Sequence, residues 1–411
     1  MEALLFLGKE LEASCFNLLV DKYEILHILT ANNTPVVAHP RVRLYRFDDY
    51  FNNGEVELEA LEIISSNSDI SILGIAEGDV LRVSACKEAL SDPHVTVADT
   101  MLFRNKLMMK RAVAQSGFHV PEFAPVSQPF DIIKFIEKHG YPVVLKPVSG
   151  SGGTNTFVIK SKAQLRGVLN AKLFNYKELS ESFMIETFVA GDMYHIDGIV
   201  NNNKVELLYV SRYRASCLSY HYGNSLSGHT LDDSHPLYER LKNATNVLVD
   251  VFPFQGITPF HLELFETPDD DIVFCEMACR VGGGPIMETL EVATGNRLDE
   301  LAFKGQIVPE FRDSLRRCGS NMRCAAGWVV VPPQAGLLSV FPNELPFEWV
   351  ERYYPNAEVG QTYSKANNDS DHIMRFIITG KDYVEVSERL DEVEQWLDQN
   401  VVWQFQQVQN F

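Results

Sequence analysis

Glu263 and Glu276 flank a turn within an alternating segment, and their types and spacing suit a divalent cation. In Phe260-His261-Leu262-Glu263-Leu264-Phe265 the period is two, so His261 and Glu263 share one face and Phe260, Leu262 and Leu264 the other. Thr267-Pro268-Asp269-Asp270-Asp271 is a turn by composition, and Ile272-Val273-Phe274-Cys275-Glu276 is the returning strand. Centring the hairpin between Asp269 and Asp270 pairs Phe265 with Phe274 and Glu263 with Glu276. Two carboxylates then face each other at about 5 Å, which destabilises a sheet unless a cation lies between them. Mg²⁺ bound to nucleotide phosphates is such a cation, because it takes a few carboxylates together with phosphate oxygens. The alternative is a surface hairpin with two solvated glutamates.

Three further segments offer anion chemistry. Arg280-Val281-Gly282-Gly283-Gly284-Pro285 feeds a helical pattern, so backbone N–H groups and a positive dipole end are available to an anion, beside the donor fork of Arg280. Tyr141-Pro142-Val143-Val144-Leu145-Lys146-Pro147 ends an apolar strand on a lysine, followed by Val148-Ser149-Gly150-Ser151-Gly152-Gly153-Thr154. A lysine set against a glycine/serine loop can hold phosphates under the loop's amides. It is not a Walker A sequence, because the lysine precedes the loop. Taken singly, each of these glycine segments also fits an ordinary loop. Cys275 and Cys279 resemble half a metal site, but Cys275 precedes Glu276 on an alternating strand, which points these two neighbours to opposite faces, and no second Cys/His pair follows at useful spacing. The seven cysteines are scattered and odd in number, which reads as reduced, mostly buried thiols in an intracellular chain.

The elements that must position these groups fall into three units. Residues 1–97 alternate short strands (Ala3–Leu7, Ile25–Thr30, Val42–Arg46, Ile70–Ala76) with helical patterns, ending in a helix over Val80–Ala89. That is a small Rossmann-like α/β unit without a dinucleotide fingerprint. Residues 98–324 begin with a helix over Thr100–Gln115. A helix (Pro129–His139), a strand (Pro142–Lys146), the loop, a strand (Thr156–Ile159), a helix (Lys162–Asn170) and a strand (Phe183–Phe188) follow. Strands dominate from Tyr194 to Arg323, with helices at Pro236–Val251 and Gly284–Thr294. Residues 325–411 read as a smaller α+β unit closed by a helix over Tyr383–Gln399.

These segments, in this order from about Val80 to Leu301, resemble the ATP-grasp superfamily. The nearest likeness within it is to ATP-dependent carboxylate–amine ligases, including bacterial L-amino-acid (dipeptide) ligases. The resemblance implies an ATP-grasp fold with an N-terminal pre-ATP-grasp domain, a mobile lid at about 120–188 and a small C-terminal α+β domain. It also implies residue roles. Lys106 matches the first ATP lysine and Lys146 the second, which holds the α- and β-phosphates. Ser149, Gly150, Ser151, Gly152 and Gly153 match the glycine loop over the triphosphate. In Glu186-Thr187-Phe188-Val189, Glu186 matches the hinge glutamate at the adenine amine, Phe188 lies in the same hinge, and the Val189 backbone would pair with the ring. Glu263 and Glu276 match the Mg²⁺-binding carboxylates, for one or two ions with Mn²⁺ as a substitute. Arg280 matches the arginine that holds the substrate carboxylate and stabilises acyl-phosphate and tetrahedral species, with Gly282 and Gly283 beside it. His261 falls where relatives carry a positively charged phosphate contact. Two positions depart from the pattern. Ala278 replaces the usual metal-binding Asn, and the usual ribose-binding acid falls at Met193, leaving Asp192 as its substitute.

Lys plus Arg total 36 against 55 Asp plus Glu, a formal net charge of −19. That balance argues against nucleic acid or an anionic membrane surface as the partner. No apolar run reaches the roughly 18 residues of a membrane span, and Met1-Glu2-Ala3-Leu4-Leu5-Phe6-Leu7 reads as a first strand rather than a signal peptide. The expected partners are a small-molecule carboxylate and an amine, in a cytoplasmic enzyme for which a homodimer is the default assembly. Two other readings stay open: a carboxylating or formyl-transferring enzyme on the same ATP site, and a nucleotide-binding scaffold whose catalysis has lapsed. Arg212-Tyr213-Arg214 and Tyr220-His221-Tyr222-Gly223-Asn224 either shape the amino-acid pockets or form a surface loop.

Overall fold

The structure is a computed structural model and describes residues 2–8, 11, 13–90, 96–150, 152–170, 183–215, 220, 223–312, 314–315, 321–366 and 371–405. Ser151, His221 and Tyr222, singled out above, lie outside the described residues.

The N-terminal unit contains β1 (Ala3–Leu7), α1 (Ala13–Lys22), β2 (Ile25–Ala31), β3 (Val42–Phe47), α2 (Glu55–Ser66), β4 (Ile70–Gly74) and α3 (Val80–Ala89). Its strands pair in parallel in the order β3-β2-β1-β4. The unbroken apolar run of β1 fits, since helices cover a parallel sheet on both faces. The carboxyl end of β4 leads directly to Glu77, which reaches across to the next unit.

The helix expected over Thr100–Gln115 is two helices, α4 (Val97–Met101) and α5 (Lys106–Gln115). Asn105 explains the break: it adopts an extended conformation and its side chain accepts from the Leu107 and Met108 amides, an N-cap that restarts the helix. Lys106 is thus a first-turn residue rather than a mid-helix one. Then come β5 (Phe123–Val126), α6 (Pro129–His139), β6 (Val143–Pro147), β7 (Phe157–Ile159), α7 (Lys162–Asn170) and β8 (Phe183–Thr187), an antiparallel sheet in the order β5-β8-β6-β7. The ends of α6 are legible in sequence: a Gln128/Asp131 capping box, Pro129 in the first turn and Gly140 at the C-cap.

The remaining elements are β9 (Asp192–Asn201), β10 (Lys204–Tyr213), β11 (Leu226–Leu231), α8 (Tyr238–Val249), β12 (Ile257–Glu266), β13 (Ile272–Ala278), α9 (Ile286–Thr294), α10 (Leu298–Ile307), β14 (Ala325–Val331), β15 (Gly336–Val340), β16 (Val350–Pro355), β17 (Thr362–Tyr363), β18 (Met374–Gly380), α11 (Tyr383–Asn400) and β19 (Val402–Gln404). Among the described residues they build an eight-stranded sheet, β13-β12-β9-β10-β11-β14-β18-β16, and a small one, β17-β15-β19. The segment read from sequence as a smaller α+β unit contributes strands to both sheets. β14 pairs with β11 and β18 with β14, so residues after 325 continue the central sheet. Sequence periodicity sees strands but not the non-local partner that decides which sheet they join. α10 is a helix beyond those expected; its buried Leu298 and Ala302 pack under the sheet, and its Phe303 packs into the core of the N-terminal unit.

Candidate active site

The eight-stranded sheet places its polar residues in rows. Across β13, β12 and β9, Glu276 pairs with Glu263 and Glu263 with His195; in the next row Ala278 pairs with His261 and His261 with Asp197. A β-bulge falls beyond Glu263, so Leu264 pairs with Phe274 and Phe265 with Val273. The expected Glu263–Glu276 pairing holds while the expected Phe265–Phe274 pairing does not. The bulge leaves Cys275 without a partner in the ladder and turns its thiol inward, 3.8 Å from Glu263 Oε2, rather than away. Burial pushes the Cys275 thiol up to about 12, so it stays protonated beside the carboxylates and is no nucleophile.

Facing these rows across a cleft of about 330 Å³ stands the smaller sheet β5-β8-β6-β7. Lys146 comes from β6 and Glu186 from β8, on neighbouring strands, with Lys146 Nζ 2.6 Å from Glu186 Oε1. Behind them Lys110 of α5, 1% exposed, lies 3.2 Å from Glu186 Oε2 and donates to the Cys275 carbonyl at 3.1 Å. Burial alone would raise the Glu186 carboxyl, but Lys110 and Lys146 outweigh it and hold it below its usual range. Burial lowers the Lys110 ammonium, Glu186 offsetting part of the effect. For Lys146 the pull of Glu186 exceeds the cost of burial and holds the ammonium up. The Glu186 carboxylate is thus held between two lysines.

Lys106 bridges the two walls. Its Nζ donates at 2.8 Å both to Glu276 Oε1 and to the Gly150 carbonyl, and its amide donates to the Val148 carbonyl. Gly150, Gly152 and Gly153 line the cleft, and Gly152 and Gly153 take φ of 62° and 69°, a conformation glycine adopts without strain. Ser149 is exposed and is not among the cleft walls. Phe188, Val189 and Asp192 line the mouth, with Asp192 paired to Arg212 at 2.6 Å.

On the sheet wall His261 Nδ1 lies 2.9 Å from Asp197 Oδ1, and its Nε2 lies 3.5 Å from Glu263 Oε1. Burial alone would lower this imidazole; the charge and hydrogen bond of Asp197, with Glu263, outweigh it and bring the group up to about 9. Arg280 enters the cleft with its Nε 2.7 Å from Glu77 Oε2. Glu77 also pairs with Arg104, and these two arginines outweigh burial and hold its carboxyl low. Gly283 and Gly284 line the cleft, but the Gly282 amide donates to Asp197 Oδ1 at 3.1 Å. The expectation that Gly282 offers its N–H to substrate is therefore corrected: a buried carboxylate already takes it.

Sequence reasoning missed Glu77, Lys110, Asp197 and, at the far end of the cleft, Leu226, Ile286, Trp328 and Val330; Tyr213 and Tyr220, offered as pocket or surface-loop residues, join these four in a largely apolar wall. His195 and Asp197 left a signal, two polar side chains at period two on a strand of otherwise buried apolar residues. Glu77 follows the carboxyl end of a parallel strand, where open α/β sheets bind ligands. Trp328 and Val330 left no signal, because they belong to the segment read as separate.

The ATP-grasp domain family matches residues 103–283. The L-arginine-specific L-amino acid ligase of Bacillus subtilis is 24% identical over 273 residues, and the match spans 66% of this chain and 66% of that protein, just under two thirds of its length. The crystal structure of L-amino acid ligase from Bacillus licheniformis superposes with a TM-score of 0.72 at 15% identity, covering 98% of this chain and 99% of that one. Carboxyaminoimidazole ribonucleotide synthase from Aspergillus clavatus, solved with ATP, gives a TM-score of 0.66 at 15% identity over 97% of this chain and 99% of that one. Residues 103–283 thus match the ATP-grasp domain family, and the chain as a whole resembles the amino-acid ligases in fold.

Proposed function

We propose that the chain is an ATP-dependent ligase that activates a carboxylate, an amino acid, as an acyl phosphate and couples it to an amine, releasing ADP and phosphate. One observation carries the reading: Glu263 and Glu276 face each other on the wall of a cleft that Lys106, Lys146 and Arg280 also reach. The donor set fits a hard cation, two carboxylate groups with open positions for phosphate oxygens. Mg²⁺, as one or two ions or replaced by Mn²⁺, would be held by Glu263 and Glu276 and would neutralise charge on the phosphates.

Lys146 and Lys106 serve the triphosphate, under the glycines from Gly150 to Gly153, while Phe188, Val189 and Asp192 flank the base and ribose. His261, held protonated by Asp197, lies on the phosphate side. A substrate carboxylate oxygen attacks the γ-phosphorus, the bond to the β,γ-bridging oxygen breaks, and ADP leaves. The amine then attacks the acyl carbon, loses a proton and expels phosphate, with Arg280 and the Gly283 and Gly284 amides beside the tetrahedral oxyanion. Closure of the glycine loop by the lid at about 120–188 keeps water from the acyl phosphate.

The test is phosphate release from ATP and Mg²⁺ across a matrix of L-amino-acid pairs, with mass spectrometry of the products. Condensation with ADP in equal yield supports the ligase, and Glu276→Ala removes it. The likeness to carboxyaminoimidazole ribonucleotide synthase favours one second reading, a different acyl donor on the same site. Turnover confined to bicarbonate or formate would select it. ATP binding without turnover on any pair would select a scaffold instead. Among the described residues no helix is long and apolar enough to cross a membrane; a cytoplasmic location and a homodimer accompany the proposal, read by fractionation and light scattering.

A further inference from the structure

Asp197 is a fully buried carboxylate that receives three donors from three parts of the chain. His195 Nδ1 lies 2.6 Å from its Oδ2, His261 Nδ1 2.9 Å from its Oδ1, and the Gly282 amide donates to Oδ1 at 3.1 Å. The register makes this geometry compulsory, since Asp197 on β9 stands directly opposite His261 on β12. We propose that Asp197 is a positioning residue that sets the His261 imidazole on the phosphate side of the cleft and the Gly282–Gly284 loop on the acyl side at the same time. The proposal rests on the nucleotide reading of the site given above.

Each contact constrains a different partner. An ionised carboxylate can only accept, so both imidazoles present N–H at Nδ1, and His261 keeps Nε2 as its one ring nitrogen toward the cleft. On the loop side, a Cβ at Gly282 would lie 2.6 Å from Asp197 Oδ1 and 2.9 Å from Ile286 Cγ2. The first glycine of the run is therefore a glycine so that the carboxylate can approach the backbone, and the two that follow are the ones left to line the cleft. Arg280 lies just before this loop and donates to the Val281 carbonyl at 2.7 Å, so fixing Gly282 also fixes the backbone to which the arginine is tied. A third link runs through His195, whose ring packs 4.6 Å from that of Tyr213, whose hydroxyl lies 3.5 Å from Glu263 Oε1.

His195, Asp197 and His261 offer one ligand atom each within 4.8 Å of one another, which invites a metal reading. The geometry opposes it: both Nδ1 atoms are spent as donors to Asp197, and the Gly282 N–H takes up a further acceptor site on the carboxylate. A metal held between the two Nδ1 atoms and this carboxylate would need lone pairs where these protons are.

The experiment compares ATP and ADP binding by calorimetry, in Mg²⁺, for the full chain and for Asp197→Asn, alongside turnover on the substrates found above. The amide keeps the shape, loses the charge and turns an N–H₂ toward an imidazole that is itself a donor. We expect the preference for ATP over ADP to fall about 10-fold to 100-fold, the scale seen when a group that orients a ligand-binding histidine is lost, with ADP affinity unchanged. kcat should fall by a similar factor and the KM of the carboxylate substrate should rise. Gly282→Ala drives a Cβ against Asp197 Oδ1, the oxygen that also holds His261, so it is expected to raise the carboxylate KM and lower the ATP preference together; it serves if Asp197→Asn does not fold. Unchanged ATP preference and unchanged kcat in Asp197→Asn, with at most a lower Tm, would overturn the proposal. So would stoichiometric zinc in the purified protein that is lost in His195→Gln. If the unaltered protein binds ATP but turns nothing over, the ligase reading fails while the ATP-to-ADP comparison still decides the role of Asp197.

Discussion

The two walls of the cleft handle charge in opposite ways. On the small sheet, Lys146, Lys110 and Glu186 form a buried cluster, the acid shared by two lysines. On the large sheet His261 and Arg280 are each matched by a carboxylate outside the cleft, Asp197 and Glu77, which leaves Glu263 and Glu276 as acids on the cleft surface. One wall thus carries a surplus of positive charge and the other a surplus of negative charge. A polyanion with its own divalent cation satisfies both at once. The difference teaches that the first wall holds its charges by internal pairing, which couples them to folding, whereas the second keeps carboxylates in reserve, which couples them to ligand. Substitutions on the two walls should therefore fail differently.

The largest effect belongs to Lys146→Met. It removes the phosphate lysine and leaves Glu186 buried with Lys110 alone, and breaking a buried pair from one side costs about 3–5 kcal/mol. Urea denaturation should show that loss even without nucleotide, together with loss of turnover. Glu276→Ala comes next. Its carboxylate is on the cleft wall and is met by Lys106 at 2.8 Å, and Lys106 keeps the Gly150 carbonyl when the acid is removed, so we expect phosphate release to fall by at least about 100-fold, with a smaller loss of stability than in Lys146→Met. If Glu276→Ala destabilises the free protein as much as Lys146→Met does, the contrast between the walls is wrong.

Legibility in the sequence divides along the same line. The carboxylate wall was readable because a hairpin has local partners, and the period of two put His261 and Glu263 on one face while the turn set Glu276 opposite. The bulge at Cys275 was not readable, since alternation carries no information about an extra residue in one strand. Lys146 stood out beside its glycine loop. Lys110 did not, being a helix lysine whose partners, Glu186 and the Cys275 carbonyl, lie far along the chain. Asp197 and Glu77 share that cause: each acts through a group brought to it by the fold. The fold itself followed from element order, except where a long-range strand pairing carried β14, β18 and β16 into the central sheet.

Acidification sharpens the comparison with a smaller effect. The Glu186 carboxyl is held below its ordinary value of 4.5 in the folded chain. Between that ordinary value and the depressed one, the unfolded chain binds a proton that the folded chain does not, so stability is present above about 4.5 and is lost as the pH falls below it. The urea midpoint should therefore drop as the pH is taken from 6 toward 3.5, and less steeply in a Glu186→Gln, Lys146→Met double variant in which the cluster is neutralised from both sides. An equal slope in the two proteins would place the acid sensitivity elsewhere.

The smallest effect tests where the carboxylate wall ends. Asp192, at the mouth of the cleft, pairs with Arg212 at 2.6 Å, and its side chain is 48% exposed. An exposed pair of this kind contributes at most about 1 kcal/mol, so Asp192→Ala should leave the urea midpoint nearly unchanged. Its effect on ATP decides its role. If Asp192 takes the place of the ribose-binding acid that Met193 cannot supply, the KM for ATP rises about 3-fold to 10-fold, the scale of one hydrogen bond of about 1 kcal/mol, and kcat stays level because the ribose is bound alike before and during phosphoryl transfer. The analogue 2′,3′-dideoxy-ATP, which lacks both ribose hydroxyls, should then bind the unaltered protein and Asp192→Ala equally. If the variant instead keeps its ATP KM, Asp192 is only the partner of Arg212, and the negative surplus of the large sheet is confined to Glu263 and Glu276.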